Sequence, residues 1–398
     1  MTKLERLIQE FCPNGVEYKT IGECVDNVKK IKWSDSDKKY LYIDLTSVDR
    51  NTHSIADIQY ISSQNAPSRA QQIVKTGDIL LGTTRPMLKR YCIVDEEHNG
   101  EICSTGFCVL RTNNAIISTR WLYHVISSND FFEYVEKNQK GASYPAISDY
   151  DVKGYRLPIP PLLIQAEIVR ILDNFTELTA ELTAELTARK KQYEYYRNSL
   201  LQFNSNINKI QLGEIGSVCM CKRILKTQTN TISGVPFYKI GTFGKVADAY
   251  IDVKTFEEYR EKYNFPKKGD VLISAAGTIG RTVVYDGEPA YFQDSNIVWI
   301  DNDETKVLNR YLYYCYEMKP WNISTGGTIA RLYNDNILKA TIPVPSLEEQ
   351  ERIVSILDRF NKLCNDISEG LPAEIAARQK QYEYYRDKLL TFSKIGVC

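Results

Sequence analysis

The sequence lacks a net charge: fifty Lys plus Arg balance fifty Asp plus Glu across 398 residues. Bulk electrostatics therefore single out neither nucleic acid, nor a membrane surface, nor an acidic partner. It also lacks any run of 18 apolar residues, so no membrane-spanning helix is expected. The opening MTKLERLIQEFCPNG is charged where a secretory signal needs its apolar core, and a cytoplasmic chain is expected. The ten cysteines include no C-x-x-C pair; they read as reduced, mostly buried thiols.

Catalytic signatures are missing too. Only His53, His98 and His124 are present, too few for a His-based triad or zinc site, and they read as loop or core residues. There is no phosphate loop, no dinucleotide glycine fingerprint, no H-E-x-x-H and no G-x-S-x-G. A base-flipping methyltransferase would show Asn/Asp-Pro-Pro-aromatic, but the sole double proline, Pro160-Pro161, is not in that setting. A nuclease needs carboxylates and a lysine around a divalent ion. Glu317-Met318-Lys319 downstream of Asp301 and Asp303 falls instead in an aromatic helix without a counterpart in the other half of the chain. Cys219-x-Cys221 reads as strand packing rather than a metal site. No catalytic residue, metal or cofactor is assigned.

What the chain does have is a repeat, with a period of about 190 residues. KKQYEYYRNSLLQF, starting at Lys190, returns as QKQYEYYRDKLLTF, starting at Gln379. LPIPPLLIQAEIVRILDNF at Leu157 returns as TIPVPSLEEQERIVSILDRF at Thr341. Weaker echoes are TIGE at Thr20 with QLGE at Gln211, KTGDILL at Lys75 with KKGDVLI at Lys267, and WLYHV at Trp121 with YLYYC at Tyr311. Two copies of one unit are expected, each a globular part followed by a helical part, with similarity concentrated in the helices.

The helical parts carry amphipathic stripes. Ile164, Ile168, Ile171, Leu172, Phe175, Leu178, Leu182 and Leu186 step by three and four, with Pro160-Pro161 suited to a helix start. In the second copy, Ser346 and Glu349 form an S-x-x-E capping box before Ile353, Ile356, Leu357, Phe360, Leu363 and Ile367. Each stripe needs a partner helix. Pro372 within GLPAEI predicts a break near residues 370–372. Tyr193, Tyr196 and Leu200 fall at helical spacing and read as packing residues. The globular parts read as mixed α and β: YLYIDL, DILLGT, FCVLR, DVLISA, TVVYD and NIVWI look like strands.

Candidate binding loops follow the Gly-Asp strand in both copies: LGTTRPMLKRY with Thr83, Thr84, Arg85, Lys89 and Arg90, and SAAGTIGRT with Ser274, Thr278 and Arg281. A second matched pair is GASYPAIS with Ser143 and Tyr144, and GGTIARLYN with Thr328, Arg331 and Asn334. Hydroxyls, amides and arginines on glycine-rich loops are what base edges and phosphates require. Taken singly each loop is also readable as an ordinary turn; the recurrence favours a shared working face.

The doubled layout, the P-I-P-P and P-V-P-S entries with Q-x-x-I-V-x-I-L-D-x-F, the ELTAELTAEL run at Glu177 and the Q-Y-E-Y-Y-R endings resemble the specificity subunits of type I restriction-modification systems. The resemblance covers essentially the whole chain. It implies an α+β fold: two globular mixed α/β target recognition domains separated by two long antiparallel helices forming a coiled coil, with an internal pseudo-two-fold repeat. The implied boundaries are recognition domains at 1–157 and 204–342 and spacer helices at 158–203 and 343–398. It further implies a non-catalytic subunit that binds double-stranded DNA, each domain reading half of a bipartite asymmetric site. Its partners would be two methyltransferase (modification) subunits and the restriction subunits that move and cut DNA. Two other readings stay open: a recognition module of a self-contained restriction or methyltransferase enzyme, and a coiled-coil adaptor without DNA binding.

Overall fold

The computed structural model describes residues 2–203, 207–322, 331–366 and 368–395. The chain divides into two compact units, Met1–Thr183 with Glu374–Cys398, and Ala184–Ala373. The first is therefore discontinuous in sequence and the second continuous.

Each unit contains a scaffold sheet of four antiparallel strands in the same order. In the first unit the order is Val25–Asp26, Phe107–Thr112, Ile79–Gly82, Tyr91–Ile93; in the second, Val218–Cys219, Ile297–Ile300, Val271–Ser274, Thr282–Val284. The central strands are apolar without alternation because both faces are covered. Ile79 and Leu81 pack with helical residues on one side, and Leu80 packs on the other with Ile43, Cys103 and Phe107. Val271 and Ile273 divide from Leu272 in the same way. The turn before the central strand is repeated as well. Gly77 and Gly269 both take positive φ, and the next residue, Asp78 or Asp270, accepts the backbone N–H of Lys75 or Lys267 at 2.8 and 2.7 Å. Asp78 is further held by a bidentate pair with Arg111 at 2.8 and 2.6 Å.

The second sheet is where the units part. In the first unit its order is Gln59–Ile61, Tyr40–Ile43, Ile102–Ser104, Ala70–Ile73; in the second it is Thr229–Asn230, Tyr250–Ile251, Val235–Tyr238, Tyr291–Phe292. Both contain one parallel pairing, Tyr42 with Ile102 and Phe237 with Tyr291. In the first unit that pair is flanked on both sides; in the second Tyr291–Phe292 is an edge and the added strands stack on the other side. A two-stranded ladder closes each globular part, Glu17–Thr20 with Arg156–Ile159 and Lys209–Gln211 with Thr341–Pro343.

Three helices form the helical parts: Leu162–Leu201, Leu347–Asn365 and Leu371–Leu389, with Pro372 in the first turn of the last. The first is shared, its N-terminal half in the first unit and its C-terminal half in the second. A buried glutamine seats each entry. Gln165 accepts the Ser118 N–H and donates to the Ile116 and Pro160 carbonyls; Gln350 accepts the Leu308 N–H and donates to the Lys306 and Pro345 carbonyls. Two turns further on, Asp173 receives Arg120 and His124, while Asp358 receives Arg310 and Tyr314. Within the first unit Phe175 stacks on Tyr385 with centroids 5.5 Å apart; within the second Tyr196 stacks on Phe360 at 5.4 Å. Cys364, one turn past Phe360, lies in electrostatic reach of Arg189 and Lys190, so the second unit's pair runs antiparallel.

Two expectations from the stripes are corrected, and a third is not tested. Ser346 caps Glu349, but the Glu349 carboxylate turns to Arg352 at 2.7 Å instead of closing the box. Leu363 is exposed and the neighbouring Cys364 takes the buried place. Ile367 lies outside the described residues.

Candidate nucleic-acid interface

The matched loops of the first unit come together. The backbone at Thr84 bridges to Ala146, the Arg85 N–H donates to the Pro145 carbonyl at 2.7 Å, and the Ile147 N–H donates to the Thr83 carbonyl at 2.9 Å. These bonds carry Arg85 onto Tyr144, whose ring lies 4.3 Å from the guanidinium carbon. Tyr144 is 70% exposed and Ser143 is exposed beside it. Arg85 and Lys89 both adopt the left-handed region, at φ 48° and 53°, which costs a non-glycine residue of order 1 kcal/mol. Both cations are exposed, Lys89 with its ammonium 4.7 Å over the Phe132 ring. A cation on an aromatic face beside an exposed hydroxyl can meet a base edge or a phosphate.

Other predicted residues hold the loops rather than face solvent. Thr83 is buried, its hydroxyl donating to the Gly106 carbonyl at 2.9 Å. Arg90 is half-buried and donates to the carbonyls of Leu45 and Val48. In the second unit Ser274 is buried, donates to the Thr278 carbonyl and accepts the Arg281 N–H at 2.8 Å. Thr83 and Ser274 are thus corrected from surface contacts to loop anchors: burial and satisfied bonds leave their hydroxyls nothing to offer a ligand. Arg281 is half-buried, and its guanidinium donates to the Phe243 carbonyl at 2.8 Å. Gly280 is required here, since a Cβ would sit 2.9 Å from the Trp321 ring.

The second unit repeats the join: the Leu332 N–H donates to the Ala275 carbonyl at 2.9 Å. Arg331 donates to the Ser295 carbonyl at 2.7 Å and borders an open groove of about 800 Å³ with Tyr333, Asn334 and Lys339. Thr278 and Asn334 are exposed. Thr328 lies outside the described residues. A second groove of about 430 Å³ shares Met220 with the first and is lined by Lys222, Arg223, Lys262 and Tyr263. Sequence reading missed this wall; the echo between VDNVKKI at Val25 and VCMCKRI at Val218 carries it.

The remaining candidates for chemistry are packed away. His124 is fully buried, its ring bonded to Asp173 and to the Tyr382 hydroxyl. Burial holds it below its ordinary value despite Asp173. His98 pairs with Asp95 and His53 stacks on Tyr91. Tyr193 is buried with its hydroxyl on Glu317. Among the described residues no group of three or more His, Cys, Asp and Glu is placed to hold a metal ion, and no helix is long and apolar enough to cross a membrane.

The family model described as the type I restriction modification DNA specificity domain matches residues 13–189 and again 204–377. A type I restriction enzyme specificity subunit of Haemophilus influenzae, S.HindORF215P, is 55% identical over 285 residues, covering 70% of this chain and 73% of its own length. The specificity subunit of the Escherichia coli enzymes EcoR124I/EcoR124II is 37% identical, over 62% of this chain and 65% of its own length. A chain from a study of complex assembly and conformational transition of the type I R-M system shares the fold at a TM-score of 0.63. It is 24% identical, with 95% and 98% of the two chains covered. On the doubled match and the close relative, the chain belongs to the type I restriction-modification DNA specificity family.

Proposed function

We propose that this chain is the non-catalytic subunit that gives a cytoplasmic type I restriction-modification complex its DNA sequence specificity. Residues 1–157 and 204–342 are the two recognition domains, each reading one half of a bipartite asymmetric duplex site. The helices within 158–203 and 343–398 set the spacing and dock two methyltransferase subunits, with restriction subunits joining that assembly. The observation that carries this reading is the contrast inside each unit: an unchanged frame of glutamine, aspartate and scaffold sheet supports a second sheet and loops that differ. A unit that keeps its mount and changes its reading surface suits two half-sites of different sequence. On this reading Arg85, Lys89, Ser143, Tyr144, Thr278, Arg331 and Asn334 face DNA, and Thr84, Arg90 and Arg281 shape the loops that present them.

Methylation-sensitive sequencing of host DNA with and without the chain tests the assignment. Exchanging residues 1–157 for another such domain should alter one half of the methylated site and leave the other. Alteration of both halves would break the modular reading.

A further inference from the structure

Each unit sets two adjacent cations just after the first strand of its scaffold sheet: Lys29-Lys30 after Val25–Asp26, and Lys222-Arg223 after Val218–Cys219. Their neighbours point inward in both cases. Val28 and Ile31 pack into the first unit, and Cys221 and Ile224 are buried in the second. The backbone is pinned as well. The Lys29 carbonyl accepts the Ile73 N–H, the Ile31 N–H donates to Gln71, and the Lys222 carbonyl accepts the Tyr291 hydroxyl. All four cations are exposed, and none belongs to an ion pair among the described residues. Lys222 rests over the Tyr263 ring at 5.1 Å.

The two pairs also occupy corresponding surroundings. Lys30 forms a backbone bridge with Gln72, whose side chain donates to the Ser104 and Phe107 carbonyls on either side of Gly106, the residue that accepts the Thr83 hydroxyl of the first loop. Lys222 and Arg223 line the groove that adjoins the one beside Arg331 and Asn334. Thus in each unit a pair of exposed cations outside any ion pair, with one carboxylate nearby (Asp149 or Asp294), borders the loops already assigned to DNA. Exposed cations on a pinned backbone at the margin of a reading surface match backbone phosphates.

We propose that Lys29-Lys30 and Lys222-Arg223 are phosphate-binding pairs, one per recognition domain, that hold the DNA backbone of each half-site without base preference. This rests on the function proposed above. The test uses the full complex with its methyltransferase subunits and a labelled duplex carrying the methylated site. Equilibrium binding is measured against salt for the wild type, Lys29→Gln/Lys30→Gln, Lys222→Gln/Arg223→Gln and the charge-keeping Lys222→Arg/Arg223→Lys. Each neutral pair should flatten the slope of log K against log salt by about 1.8, two contacts at ~0.9 each, and leave the methylated sequence unchanged. The charge-keeping pair should retain the wild-type slope. Neutral variants with an unchanged slope, or with an altered site, would overturn the phosphate assignment while leaving the specificity reading intact. A wild-type complex without preference for its site would overturn both.

Discussion

The first and second units solve the same mechanical problem with the same atoms and a different recognition problem with different ones. Gln165 and Gln350 make the same three bonds to the same kinds of backbone group, and Asp173 and Asp358 each gather an arginine and one further donor. The second sheets keep one parallel pairing and rearrange everything around it. Buried polar bonds are exacting because an unpaired group costs ~1–3 kcal/mol, whereas a sheet edge accepts a strand on either side. The frame is thus the part that resists change.

The sharpest way to break that comparison is at the glutamines. Replacing Gln165 or Gln350 by Ala strands one N–H and two carbonyls, and each variant should lose on the order of 3 kcal/mol of unfolding free energy in denaturant titration. Similar losses at both sites would confirm one frame used twice; a loss at one only would show that the units differ in their mounts too.

A second test acts where the units join. The boundary between them falls at Thr183 and Ala184, inside the ELTAELTAEL run. Inserting one Thr-Ala-Glu-Leu between Thr179 and Leu186 lengthens a continuous helix by about 6 Å, or one to two base pairs at ~3.4 Å each. The stripe turns by only about 40°, so packing survives. Mapped methylation should show the same half-sites with a longer spacer, and an unchanged spacer in an active complex would exclude the helix as ruler.

A third sharpens the contrast between the loops. Arg85→Ala removes an outward cation, and should cost ~1–3 kcal/mol of DNA binding, relaxing one position or weakening all sequences alike. Arg281→Ala, which removes the bond to Phe243, should show mainly in thermal stability, with the site unchanged. Equal losses of DNA binding in the two variants would erase the distinction drawn between them.

The smallest effect concerns acid. Burial keeps His124 below its ordinary value near 6.5, and Arg120 and Arg386 oppose its protonation while Asp173 favours it. The unfolded chain therefore binds that proton more readily, so the first unit loses stability as pH falls below about 6.5. The second unit has Tyr314 at the corresponding place and is spared this loss. Hydrogen exchange at about pH 5.5 against 7.5, corrected for intrinsic rate, should rise in peptides spanning 119–126 and not in those spanning 309–317. Equal rises would sink the assignment to His124.

Most of the frame was legible in the sequence because its signals are periodic and repeated: the three-and-four stripe, the glutamine five residues past the proline, the Gly-Asp turn. The candidate loops were legible as places, through their recurrence. The fate of their side chains was not. Thr83 and Ser274 look as available as Ser143 in the sequence, and only tertiary burial separates them. Leu363 and Cys364 are adjacent on the helix, and the register against the partner helix selects the smaller thiol. The order of the second sheets had no local signal at all, since strands of two to four residues carry too few side chains to specify a neighbour.

The helix Leu371–Leu389 supplies Tyr382 and Tyr385 to the first unit, more than 180 residues after that unit's other segment ends at Thr183. On a translating ribosome the usual order is then reversed: the later unit has its whole chain in hand first, and the earlier one waits for residues 374–395 to emerge. Limited proteolysis of ribosome-stalled chains should find 184–373 protected while 1–157 remains sensitive, and a stop introduced near residue 374 should spare the second unit and undo the first.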